Sequence, residues 1–185
     1  MSHYHNLLID DQDGICLITI NRPEKLNALN KDTIQELSRA IEEADSAVSV
    51  RVIVITGSGN KAFIAGADIS EFAHFSQEQG QALATQGQAD LFDRVANCST
   101  PVIAAINGYA LGGGLELAMA AHMRIASDDA KMGLPEVSLG VIPGYGGTQR
   151  LPELVGKGRA LELICSAGMI EAQLACAIGL VNSVV

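Results

Sequence analysis

The sequence predicts an α/β protein in which strand, strand, helix units repeat along a single chain. Short β-branched runs alternate with helix-periodic segments from end to end, and no linker or low-complexity stretch separates them. Glycine is the skewed residue: eleven of its 19 copies fall between Gly108 and Gly158, where strands give way to loops. The chain therefore reads as one domain over residues 1–185.

Ile15 to Ile20 is a β-branched run closed by Asn21-Arg22-Pro23, which predicts a strand entering a turn. Asn30 and Asp32 are candidate N-caps of a helix whose buried face is Ile34, Leu37, Ile41 and Ala44 at three-and-four spacing. Val50 to Thr56 predicts a buried strand stopped by Gly57-Ser58-Gly59. The Gln-rich stretch 77–97 predicts a loosely periodic helix. Pro101 to Ile106 is another short strand, ended by Asn107-Gly108, and the glycines 112–114 feed a helix through Ala121. Arg124 to Ala126 reads as a short strand and 131–149 as loop. Gly158 to Ala167 and Glu171 to Ile178 read as helices, and Leu180 to Val185 as a last strand.

Composition excludes several classes. With 48% hydrophobic and 18% charged residues the chain has enough apolar surface to fold as a globule. Acidic residues outnumber basic ones 21 to 12, net charge −9, and no basic face is visible, so no nucleic-acid partner is expected. The lack of Trp removes one stacking platform for single strands. No window approaches the roughly 18 apolar residues of a membrane span, and Met1 to Asn6 is not a signal leader, so a cytoplasmic protein without a membrane partner is expected. Cys16, Cys98, Cys165 and Cys176 form no C-x-x-C pair and read as small buried hydrophobes, with no metal site.

Three glycine-bearing segments could carry chemistry. Phe63 to Ser70 would let a ligand approach its backbone N–H groups. Asn107 to Glu116 places free donors at a helix N-terminus, suited to an anion or a developing oxyanion, with Glu116 in the first turn. Gly133 to Gly147 adds Glu136 just after Pro135. Two glutamates beside an amide-lined loop point to acid–base work. From spacing alone, Glu116 reads equally well as a partner of the helix dipole and Glu136 as a solvated loop carboxylate.

Together and in this order, four motifs resemble the enoyl-CoA hydratase (crotonase) family: Asn21-Arg-Pro-Glu-Lys-Leu-Asn-Ala-Leu29, Phe63 to Ile69, Pro101 to Glu116, and Pro135-Glu-Val to Arg150. The resemblance implies a crotonase-like spiral of ββα units and an acyl-CoA thioester substrate, with coenzyme A as part of the substrate and no separate cofactor. It implies an oxyanion hole from the N–H groups of Ala67 and Gly113, and Glu116 and Glu136 as the hydratase carboxylates. The Gly144 N–H is implied to help hold water or substrate. The backbone of Ala65, Gly66, Asp68, Ile69 and Ser70 is implied to contact the coenzyme, and Lys25 and Arg22 are candidates to meet its phosphates. The expected reaction is reversible syn hydration of a trans-2-enoyl-CoA to a 3-hydroxyacyl-CoA. The alternatives are an isomerase or a noncatalytic acyl-CoA-binding fragment of the same fold.

Met132, Leu134 and Tyr145 depart from the residues many relatives have, and bear on the acyl pocket. The family commonly continues into a C-terminal helical segment that builds trimers or dimers of trimers. That segment is expected to be absent here, leaving a homo-oligomer as the expected assembly. Two other motifs fail on context. Gly57-Ser-Gly59-Asn-Lys-Ala62 approximates a dinucleotide-binding fingerprint but is not followed by its helix. Ser58-Gly-Asn-Lys61 matches Ser-x-x-Lys without the companion motifs.

Overall fold

The structure is a computed structural model that describes residues 4–68, 71 and 76–185. β1 (Leu7–Gln12) and β2 (Ile15–Ile20) form an antiparallel hairpin. The sequence reading had no first strand, although Asp13-Gly14, both at positive φ, is a hairpin-turn dipeptide. A 3-10 turn over Pro23–Lys25 leads to α1 (Lys31–Ser46), capped by the Asn30 side chain accepting the Thr33 N–H. The predicted face, Ile34, Leu37, Ile41 and Ala44, is buried.

The spiral then builds two sheets at once. β3 (Val52–Gly57) is followed by β4 (Ala62–Ile64), and α2 (Gln77–Gly87) continues through a π turn at Gln88–Phe92 into α3 (Asp93–Ala96). β5 (Val102–Ile106), β6 (Tyr109–Leu111) and α4 (Gly113–Ala120) form the next unit, and β7 (Met123–Ala126) and β8 (Lys131–Gly133) the one after. A 3-10 turn over Pro135–Leu139 precedes α5 (Gly147–Val155) and α6 (Lys157–Ser166). β9 (Met169–Glu171), α7 (Ala172–Ala177) and β10 (Ser183–Val184) follow.

Among the described residues one sheet runs β1-β2-β3-β5-β7-β10 and the other β4-β6-β8-β9. Beyond the first hairpin the larger sheet is parallel, as crossovers through helices require. The three pairs β3–β4, β5–β6 and β7–β8 thus each give their first strand to the larger sheet and their second to the smaller.

The loop-rich stretch 131–149 opens on β8 and closes on the first turn of α5, with a 3-10 turn and irregular backbone between. Met132 and Leu134 are fully buried core, and α5 begins at Gly147. The strands of the smaller sheet are about three residues each, too short to show a period. The last strand shrinks to two residues, and the cysteine reading holds for Cys16 and Cys98 but not for exposed Cys165.

Side-chain amides fasten the corners of the spiral. Buried Asn27 donates Nδ2–H to the carbonyls of Ser58 (3.0 Å) and Ala62 (2.8 Å), and its Oδ1 accepts the Arg22 N–H. Asn107 does the same one unit later, donating to Gly57 and Gly59 carbonyls at 2.7 and 2.9 Å. Such bonds satisfy backbone groups that leave one sheet before entering the other. Buried Arg124 donates to the Ala121 carbonyl (2.7 Å) at the end of α4 and to that of Leu180 (2.8 Å), tying the segment before β10 to the end of α4. Among the described residues no helix is long and apolar enough to cross a membrane.

Candidate active site

A cavity of about 420 Å³ opens where β4, the start of α4 and the loop after β8 converge. Its walls include Ala65, Gly66, Ala67, Gly113, Glu116, Glu136, Gly144 and Tyr145. The three glycine-bearing segments therefore meet at one place, which periodicity alone could not decide.

Leu29 and Ala67 form an isolated parallel bridge in which the Leu29 N–H bonds to the Gly66 carbonyl and the Asp68 N–H to the Leu29 carbonyl. In that register the Ala67 N–H itself is directed away from Leu29. Gly113 is the first residue of α4, so its N–H belongs to the donors a helix leaves unpaired. The Ala67 nitrogen lies 3.9 Å from the place a Cβ would take on Gly113, which brings the two amides to the same wall. Tight packing sets this geometry: a Cβ on Gly114 would fall 2.1 Å from the Ile64 carbonyl oxygen, so only glycine lets α4 sit against β4.

Glu116 is buried in the first turn of α4, and its Oε1 accepts the N–H groups of Tyr145 and Gly147, both at 2.8 Å. Burial pushes its carboxyl up to about 7, and the charge of Glu136 adds to the rise. The two N–H donors and the Arg150 guanidinium hold it down. Glu136 sits on the 3-10 turn after β8, and its Oε2 is buried with no hydrogen-bond partner. Burial raises its pKa as well. Burial biases both carboxyls toward the neutral form, and their like charge disfavours ionising both at once.

The remaining predicted residues divide. Ala65 and Gly66 line the cavity, but the Ala65 N–H is already bonded to the Leu26 carbonyl at 3.1 Å. Asp68 lies outside the lining, and its side chain pairs with Arg22 at 3.0 Å. Lys25 is exposed on its 3-10 turn and outside this cavity. Ile69 and Ser70 lie outside the described residues. Met132 and Leu134 do not reach the cavity, which leaves Tyr145 as the departure that does. Gly144 lines it too, yet the loop's amide bonds to Glu116 come from Tyr145 and Gly147, which the sequence reading had not assigned. The run of glycines was the available signal, since a Cβ on Gly147 would approach Glu116 Oε1 to 2.8 Å. Arg150 was also missed: it donates to the Tyr145 carbonyl at 2.8 Å and pairs with Asp93 at 3.1 Å, clamping the loop from behind.

The arrangement gathers two carboxyl groups and the backbone of Ala67 and Gly113 around one small cavity of an α/β fold. Residues 10–185 match the enoyl-CoA hydratase/isomerase family. The crotonyl-CoA hydratase of Syntrophomonas wolfei is 47% identical over 182 residues, covering 98% of this chain and 70% of that protein. The short-chain-enoyl-CoA hydratase of Clostridium acetobutylicum is likewise 47% identical, over 98% of this chain and 69% of its own length. Among solved structures, the enoyl-CoA hydratase of Bacillus anthracis superposes with a TM-score of 0.93 at 42% identity, over 98% of this chain and 70% of that one. Pseudomonas aeruginosa DspI superposes at 0.94 with 39% identity, over 100% of this chain and 70% of its own. The chain belongs to the enoyl-CoA hydratase/isomerase family and has the crotonase fold.

Proposed function

We propose that this chain is an enoyl-CoA hydratase that adds water reversibly, in syn fashion, across the C2=C3 bond of a trans-2-enoyl-CoA. The observation that carries the reading is the pairing of Glu116 with Glu136 in one cavity beside the Ala67 and Gly113 amides. Conjugation to the thioester means that attack at C3 builds negative charge on the thioester oxygen. Two amides aimed at that oxygen stabilise it without reorganising, and one such donor is worth roughly 10²–10³ in rate.

The carboxyls handle the protons. With its pKa near 7, Glu116 is partly ionised at neutral pH and is poised to accept a proton from the attacking water. Glu136, held toward its neutral form by burial, gives a proton to C2. Water's oxygen joins C3, one proton leaves water for Glu116, one leaves Glu136 for C2, and the pair's proton count is unchanged. Coenzyme A enters as part of the substrate, so the reaction requires no resident cofactor. A double-bond isomerase moves one proton and needs one such carboxyl; the retention of two favours hydration. We place this activity in a single catalytic domain over residues 1–185, in the cytoplasm, and in a homo-oligomer.

Loss of the conjugated-thioester absorbance of crotonyl-CoA, with 3-hydroxybutyryl-CoA as product, tests the reading. Glu136→Gln should lower kcat by about 10²–10⁴ while coenzyme A thioesters still bind. Binding without turnover in the unaltered chain would identify a noncatalytic acyl-CoA-binding fragment, and a shifted double bond in place of the hydroxyacid would identify an isomerase.

A further inference from the structure

Catalysis as proposed uses the backbone of Tyr145 and leaves its ring without a task. Among the described lining residues that are buried, Gly66, Gly112, Gly113, Glu116 and Tyr145, the ring is the one bulky apolar wall. It is locked on three sides. One face stacks on fully buried Phe92, with centroids 4.4 Å apart and planes 5° from parallel. One edge abuts Gly87, where a Cβ would come within 2.8 Å of Cε1. The opposite edge abuts Gly113, whose Cβ would stand 3.4 Å from Cδ2. The π turn contributes to this slot: its extra backbone residue belongs to the segment Gln88–Phe92 that ends on the stacking ring, directly after Gly87. A ring braced in this way cannot swing aside without displacing helix backbone.

The ring lines the same cavity as the two carboxyls and the Ala67 and Gly113 amides. The thioester oxygen belongs at the Ala67 and Gly113 amides and C3 at the carboxyls. Carbons beyond C3 then run past Glu116, whose Oε1 is anchored by the Tyr145 N–H itself. We propose that the Tyr145 ring, held between Gly87, Gly113 and Phe92, is a fixed end wall that restricts the site to short acyl chains, four carbons being favoured over eight. The proposal rests on the acyl-thioester reading of the site.

The test is kcat/KM for trans-2-butenoyl-, trans-2-hexenoyl- and trans-2-octenoyl-CoA. The unaltered chain should fall at least tenfold from four to eight carbons. Tyr145→Ala should raise the octenoyl-to-butenoyl ratio at least tenfold, and Phe92→Ala should shift it the same way by less, because the ring loses its brace. Tyr145→Phe should keep the original ratio. A flat profile in the unaltered chain overturns the proposal, as does an unchanged ratio in a Tyr145→Ala protein that retains its thermal midpoint.

Calorimetry with butyryl-CoA and octanoyl-CoA, which cannot be hydrated, measures the wall apart from turnover. Tighter binding of butyryl-CoA supports it even if no enoyl thioester is hydrated, in which case the hydratase reading alone fails. Tighter binding of octanoyl-CoA overturns the wall while leaving the hydratase reading intact.

Discussion

Glu116→Gln should make the protein more stable at alkaline pH while abolishing its activity. Glutamine keeps an acceptor oxygen for the Tyr145 and Gly147 N–H groups, both at 2.8 Å, and removes only the ionisation. Because the folded carboxyl titrates near 7 rather than 4.5, the folded state holds its proton more tightly than the unfolded chain. The sign follows: full stability is present below pH 4.5, declines as pH rises toward about 7, and is level above that. At about 1.4 kcal/mol per pH unit the displacement from 4.5 to about 7 is worth roughly 3 kcal/mol. Urea unfolding at fixed protein concentration, from pH 4 to pH 8, should show the unaltered chain losing that much relative to the variant. The two proteins should coincide at the acid end, with equal m-values, and turnover in the variant should fall by about 10²–10⁴. Parallel stability curves across the whole range would refute the claim that burial raises the pKa of this carboxyl.

Asn27→Ala should cost about 3 kcal/mol in denaturant unfolding, since the carbonyls of Ser58 and Ala62 lose a donor inside the fold. Arg150→Met removes the cation that lowers the Glu116 pKa, so the acid limb of the kcat pH profile should move to higher pH; an unmoved limb would show that the guanidinium serves only to brace the loop. Iodoacetamide at pH 8, followed by peptide mass analysis, should label exposed Cys165 at least tenfold faster than Cys98. Burial pushes the Cys98 thiol up to about 11 and raises Cys16 as well.

The α1 face was legible because four apolar residues at helical spacing outweigh local noise, and Asn30 announced its cap. The parallel strands β3 and β5 were legible as continuous apolar runs. The smaller sheet was not: β4, β6 and β8 have three residues each and owe their form to pairing with one another. α5 was obscured by the glycines before it and by Pro152 within it, and tertiary packing of buried Leu151 and Val155 overrides both. Within the site, the resemblance pointed to Glu116 and Glu136 through their motifs, but the ion pair between Arg22 and Asp68, far apart in the chain, was not legible from either motif.

By itself the sequence determined the alternation of strands and helices, the family, and which residue types were at hand: two glutamates, and glycines where backbone must approach closely. Those properties are local, written in spacing and in the absence of side chains. Only the tertiary structure decided that three segments separated by scores of residues share one cavity, that Glu116 titrates near 7, and that Tyr145 is wedged against Phe92. The physical reason is that desolvation, charge coupling and steric closure depend on distance in space, and a linear chain records only distance along itself.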